Sequence, residues 1–173
     1  MYPRRKNARL RSFDYAQPGA YFVTIVTAGR EEWFGDIVAG TPSLSELGMR
    51  VIARWARIPT LYAGVDLGPY VVMPNHLHGL IHLNSSGQVP SLPRVIQSFK
   101  SVTTQDYYGV VPRPQQRGPR LWQVDYWERV VRDDEEYQRI GDYILANPAN
   151  WEWDRENRAA SGRLAGHGAD WEV

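Results

Sequence analysis

The chain has 173 residues, 43% of them hydrophobic, with a formal net charge of +1 and no cysteine. That length and apolar content suit one globular domain with a real core. The absent thiols exclude a disulfide framework and zinc fingers, so any metal must be held by nitrogen and oxygen ligands, which favours Mg²⁺, Mn²⁺ or a loosely held Zn²⁺ over a structural zinc. No apolar stretch has the length of a membrane span and the first residues lack the apolar core of a signal peptide. The expectation is a cytoplasmic protein with no membrane partner.

In chain order, residues 4–11 hold Arg4, Arg5, Lys6, Arg9 and Arg11 without an acidic residue. Such an arm suits contact with an anionic polymer, since the guanidinium fork grips phosphate bidentately. Residues 14–19 (DYAQPG) read as a turn, and residues 20–28 (AYFVTIVTA) as a strand by their alternation. Residues 33–43 are punctuated by Gly and Pro and read as irregular. A helix is expected over residues 43–58, with Ser43 and Glu46 as its capping box.

Residues 61–73 predict a strand broken at Gly68-Pro69, and residues 75–83 a second strand. The short Pro74-Asn75 connection makes these an antiparallel pair. Residues 84–90 read as a flexible loop. A helix over residues 92–108 turns Val95, Phe99 and Val102 inward, with Arg94, Gln97, Lys100 and Ser101 outward. Residues 111–120 (VPRPQQRGPR) form a Pro/Gly/Arg loop, residues 121–132 an aromatic segment ending in a strand, and residues 133–146 a helix with an acidic first turn, stopped by Pro148. The charged segment from 151 onward reads as partly disordered. This order implies an α+β fold of ferredoxin-like kind, a mainly antiparallel sheet with helices on one face. The expected organisation is an arm and turn over residues 1–19, a domain over 20–153, and a tail over 154–173.

The most informative feature is His76-Leu77-His78. Strand side chains alternate, so the two imidazoles share a face and can ligate one divalent cation, while Leu77 points to the opposite layer. His82 has the same parity but lies about 13 Å along the strand from His78, too far for the same ion. In the last helix Tyr137, Ile140 and Ile144 form the apolar stripe. Tyr143 falls in another column with Glu136, Arg139 and Asn147. One reading makes Tyr143 an amphipathic surface or edge tyrosine; the other joins it to the histidines, with Asn147 as a third, oxygen ligand and Tyr143 as a nucleophile, a set suited to phosphodiester attack with covalent retention of the bond energy. Tyr107, Tyr126 and Tyr137 compete with Tyr143, but none has an amide one turn later on a polar helix face.

His76-Leu77-His78 after Val71-Val72-Met73-Pro74-Asn75, with Asp142-Tyr143-Ile144 and Asn147-Pro148, resembles the HUH single-tyrosine transposases. More narrowly, these blocks are similar to the REP-associated tyrosine transposases, and residues 9–30 and 121–132 look like that branch too. The resemblance covers about residues 9–153. It implies an HUH-nuclease fold and a single-stranded DNA endonuclease and strand transferase that cuts near the foot of a palindromic REP-type hairpin through a 5′-phosphotyrosine. By position, His76, His78 and Asn147 would hold the metal and Tyr143 would attack. Mobile-element members of the superfamily carry glutamine where this chain has the shorter Asn147, so the helix must approach the histidine strand more closely. Monomer and homodimer both remain open. The basic arm, with Arg113, Arg117 and Arg120, would contact DNA, and Tyr15, Trp122, Tyr126 and Trp127 are candidates for base stacking. The rival readings are a metal-dependent hydrolase using water, for which a barrel of ~250 residues would be needed, and a non-catalytic or domesticated nucleic-acid-binding protein on the same sheet.

Overall fold

The computed structural model describes residues 17–85, 89–116, 118 and 120–162. The elements run β1 (Gly19–Val26), β2 (Gly35–Val38), β3 (Thr41–Leu44), α1 (Glu46–Ala56), the short α2 (Ile58–Leu61), β4 (Val65–Met73), β5 (His76–Leu83), α3 (Leu92–Val110), β6 (Trp127–Val131) and α4 (Asp134–Ala146). Two 3₁₀ segments, Asn147–Trp153 and Arg158–Gly162, follow. The central sheet has the order β4-β5-β1-β6, with every neighbouring pair antiparallel. Among the described residues no helix is long and apolar enough to cross a membrane.

The alternation of β1 and β5 decides what lies on each side of this sheet. Tyr21, Val23 and Ile25 of β1 and Leu77, Ile81 and Leu83 of β5 join the main core with Leu47, Val51 and Trp55 of α1 and Val95, Ile96 and Phe99 of α3. A Cβ at Gly79 would come within 2.6 Å of the Trp55 indole, so glycine there lets that ring lie flat on the strand. Arg54 donates from Nε and Nη2 to the two oxygens of Asp106, at 2.9 and 3.0 Å, and ties α1 to α3. On the other face Phe22 and Leu80 meet Ile140 and Ile144 of α4. Helices therefore cover both faces, not one. An apolar Phe22 and Leu80 on the second face require a cover of their own.

The other departures from the sequence reading are local. Residues 35–44 form a β-hairpin in which Val38 pairs with Thr41. Ala39 and Gly40 both have positive φ, 49° and 74°, as a two-residue type I′ connection demands. Ala-Gly is a weaker turn signal than Asn-Gly, which is why the segment read as irregular. The hairpin takes Ser43 into β3, and Ser45 caps α1 instead, its hydroxyl accepting from Gly48 N at 3.1 Å and donating to Trp33 O at 2.7 Å. The break at Gly68-Pro69 is present as a register irregularity between Leu67 and Tyr70 of β4. At the start of α4, Asp133 accepts from Glu136 N and Glu136 accepts from Arg132 N, both at 2.7 Å, a reciprocal cap. Trp153 is no edge of the packed structure, because Asp154, Glu156, Asn157 and Ala160 beyond it are buried.

Ala39 carries a Cβ in the left-handed region, where an L-residue costs roughly 1–2 kcal/mol. Ala39→Asn should therefore stabilise the fold by ~0.5–1 kcal/mol, read as a rise in Tm of roughly 1–4 °C. An unchanged or lower Tm would show that the turn carries no such strain.

Candidate active site

His76 and His78 sit on the α4 face of β5, in the middle of the sheet. His76 is flanked by Val26 and Met73, and His78 by Thr24 and Val71. Their rings lie 4.5 Å apart between centroids, and both residues are buried. Buried imidazole nitrogens call for partners, and each one left without a partner needs an explanation. His78 Nδ1 meets Thr24 Oγ1 at 2.8 Å, and His76 Nδ1 meets Asn75 Oδ1 at 2.8 Å. The Asn75 amide nitrogen donates to Arg30 O at 3.2 Å and to Glu156 O at 2.8 Å. Its oxygen is thus an acceptor, so His76 carries its proton on Nδ1 and presents the Nε2 lone pair inward. Among the described residues that buried Nε2 has no hydrogen-bond partner.

Above the pair, α4 lays Tyr143 and Asn147 one turn apart. The phenol oxygen of Tyr143 stands 3.5 Å from His78 Nε2, and its ring packs edge-on to His78 and Phe22. Asn147, buried at the end of the helix, donates to Asp154 Oδ2 at 3.1 Å, and its own Oδ1 is buried without a hydrogen-bond partner. Asp154 is the residue that the sequence reading missed. Its Oδ2 lies 3.8 Å from His76 Nε2, and one ligand atom from each of His76, His78 and Asp154 falls within 4.8 Å of the others. Two imidazole nitrogens and a carboxylate close together, with the unspent amide oxygen of Asn147 on the residue bonded to that carboxylate, form a donor set that fits a divalent cation. The orphaned Nε2 and Oδ1 atoms are what such an ion would satisfy.

The electrostatics agree with that fit. Burial, with a smaller contribution from Arg30, pushes His76 down to about 3, and His78 is lowered by burial and by His76. Both rings are therefore neutral, the form that ligates metals. Burial, then the Asp154 carboxylate, pushes the Tyr143 phenol up to about 12. Without a positive charge beside it, that phenol stays protonated and is a poor nucleophile.

The competing tyrosines lie elsewhere. Tyr107 is buried on the opposite face against Trp33, Tyr126 packs beside the main core under Lys100, and Tyr137 bonds His82 Nε2 at 3.1 Å. His82 is thereby occupied away from the pair. Trp122 is a core residue, buried and donating to Thr103 Oγ1 at 2.8 Å, which removes it as a stacking surface. Trp127 is half-buried, edge-on to Phe22 at 5.2 Å, on the histidine face of the sheet. Arg113 and Arg120 are exposed. Arg120 immediately precedes the segment whose Leu121 O accepts from Ala28 N, which puts it near the His76 end of the sheet. Arg4, Arg5, Lys6, Arg9, Arg11, Tyr15 and Arg117 lie outside the described residues.

The family model of IS200-like transposases matches residues 59–147, a span that includes both histidines, Tyr143 and Asn147 and leaves out β1 and Asp154. A Haemophilus influenzae protein of uncharacterised function is 32% identical over 165 residues, covering 87% of this chain and 92% of that one. The fold is similar to that of a REP-associated tyrosine transposase solved bound to a REP hairpin, with a TM-score of 0.60 at 18% identity over 82% of this chain and 73% of the other. It also resembles a Deinococcus radiodurans R1 protein assigned to the transposases, with a TM-score of 0.51 at 18% identity over 78% of this chain and 92% of that one. The four-stranded antiparallel sheet and its helices are the fold of these transposase structures, and the matched family is one of DNA-cleaving enzymes. The chain belongs to the family of IS200-like transposases.

Burial of neutral imidazoles has a consequence for the metal-free chain. Unfolded imidazoles take up a proton near pH 6.5, whereas His76 does so only at about 3, so the unfolded state binds the extra proton between those values. Stability should fall as pH drops through that window, by up to ~1.4 kcal/mol per pH unit for each such imidazole. Urea unfolding in EDTA at several pH values between about 7 and 4 should show a shallower fall for His76→Gln than for wild type. Equal slopes would mean that His76 is not buried in its neutral form.

Proposed function

We propose that this chain is a single-stranded DNA endonuclease and strand transferase that acts on palindromic, REP-type hairpins through a covalent 5′-phosphotyrosine at Tyr143. The observation that carries the reading is the approach of the Tyr143 phenol to within 3.5 Å of His78 Nε2, beside a His76 Nε2 with no hydrogen-bond partner. His76, His78 and Asn147, with Asp154 beside them, would hold Mg²⁺ or Mn²⁺. Such an ion, when bound, supplies positive charge to the scissile phosphate and to the departing oxygen.

The protein's own groups do the rest. Asn75 and Thr24 fix the two imidazoles from behind, so their inward nitrogens need no reorganisation when substrate arrives. The phenol of Tyr143 is held on a helix whose Ile140 and Ile144 are locked into the second core. As its oxygen attacks phosphorus it loses its proton, the bond from phosphorus to the 3′-oxygen breaks, and that oxygen departs with the electron pair and gains a proton. The product is a 5′-phosphotyrosine and a free 3′-hydroxyl, and attack by another 3′-hydroxyl reverses the step on a new strand. Exposed Arg113 and Arg120, with the basic arm and Arg117, would neutralise the DNA backbone. The hairpin in the structural relative belongs to that protein; here the same substrate class is supported by the fold, the family and the residue set together.

Tyr143→Phe should abolish covalent capture of a labelled single-stranded hairpin in Mg²⁺ or Mn²⁺ while hairpin affinity stays within about threefold of wild type. Mass spectrometry of the protein after incubation reads the adduct directly. An adduct persisting in Tyr143→Phe would move the nucleophile elsewhere, and full cleavage by wild type in EDTA would refute the metal. Removing residues 1–11 should weaken hairpin binding and lower its log–log salt slope by up to ~0.7 per lost phosphate contact. A deletion that leaves the slope unchanged would exclude the arm from the interface.

A further inference from the structure

Residue 156 lies outside the matched family span and within a segment that reads from sequence as tail. Its side chain is nevertheless almost fully buried, and its carboxylate accepts from Arg30 Nε at 2.7 Å. The backbone of the same residue makes two further bonds. Its carbonyl accepts from Asn75 Nδ2 at 2.8 Å, and its amide donates to Asp154 Oδ1 at 2.6 Å. Asn75 holds the proton on His76 Nδ1, and Asp154 Oδ2 faces His76 Nε2. A closed circuit therefore runs from His76 through Asn75, Glu156 and Asp154 back to the other side of the same imidazole. The carbonyl of Arg30 completes it by accepting from the same Asn75 amide at 3.2 Å.

We infer that Glu156, clamped by Arg30, is a positioning residue for the metal centre: it sets the His76 tautomer through Asn75 and the Asp154 carboxylate through its own backbone amide. The inference rests on the metal reading given above and adds to it. The reason is geometric. The Arg30 side chain is about one-third exposed, and the residue it clamps, Glu156, bonds both Asn75 and Asp154, the two residues whose side-chain oxygens face the nitrogens of His76. Asp154 follows a run of 3₁₀ turns and owns no strand or α-helix to fix it. Without the anchor two residues on, its carboxylate has one remaining side-chain bond among the described residues, to Asn147. Residues that orient a metal ligand from behind typically change affinity by 10–100-fold when lost.

The test uses the full chain. Mn²⁺ affinity, followed by electron paramagnetic resonance of the free ion, should fall about tenfold or more in Glu156→Gln and in Arg30→Gln. The double variant should be no weaker than the worse single one, because both break the same clamp. Arg30→Gln alters a partly exposed side chain, so it reports even if Glu156→Gln folds poorly. Nitrogen-15 spectra of the metal-free imidazoles supply a readout that a merely structural loss would not move. Wild type should show His76 protonated on Nδ1 alone, and both variants a mixture of tautomers. Folded variants with Mn²⁺ affinity within twofold of wild type and a single Nδ1–H tautomer would overturn the inference. If wild type and His76→Ala bind Mn²⁺ equally poorly, the metal reading fails instead, and the tautomer spectra still decide whether the clamp orients His76.

Discussion

The alternation of a single strand is the constraint on which the site depends. Leu77, Ile81 and Leu83 of β5 are buried among α1 and α3, and the pleat places His76, His78 and Leu80 on the other side. A register slip of one residue would drive both imidazoles into the main core and push three aliphatic side chains out of it. Each of those side chains is worth roughly 1.5–3 kcal/mol on burial, so the register is held by packing well away from the chemistry. The histidines need no contribution of their own to stay in place.

Burying two neutral rings still has a cost, and the neighbouring groups show how it is offset. One nitrogen of each imidazole is matched by a side chain from an adjacent position, Thr24 across the sheet and Asn75 at the turn. Those bonds leave one nitrogen of each ring facing the gap beneath α4. The helix closes that gap because Ile140 and Ile144 pack on Phe22 and Leu80, and its reciprocal cap and the ion pair of Arg129 with Glu136 fix where it begins. The polar atoms are consequently held by an apolar frame, which fixes their positions before any ligand arrives.

The sequence made the frame legible and part of the site. Period-two segments at residues 20–28 and 75–83 and the helical column of Tyr143 and Asn147 reported real faces, because each repeats over several residues. The hairpin at residues 35–44 escaped notice because Ala39 tolerates a left-handed backbone that its identity does not advertise. Placing α4 on the second face required knowing where the chain crosses after β6, and periodicity holds no such information. Asp154 was invisible for another reason. It lies in a stretch of irregular turns rich in charge, and charged residues beyond a proline read as solvated tail until the chain is seen to fold back.

That return of the chain also bears on the amide of Asn147. A side chain one methylene shorter than glutamine has less reach, and the structure answers in two ways. The helix sits close enough for Tyr143 to touch His78, and Asn147 spends its nitrogen on Asp154, so its oxygen is the atom left over. An amide free to rotate could present either end to the cavity. Anchoring Nδ2 to a carboxylate removes that ambiguity, because a carboxylate oxygen accepts and an amide oxygen cannot donate to it. Asp154 thereby does two things with its two oxygens: Oδ1 is held by the backbone of Glu156, and Oδ2 both orients the amide and faces His76. The orientation of the Asn147 amide is thus set by a segment outside the matched family span, through bonds that touch neither the histidines' backbone positions nor the tyrosine.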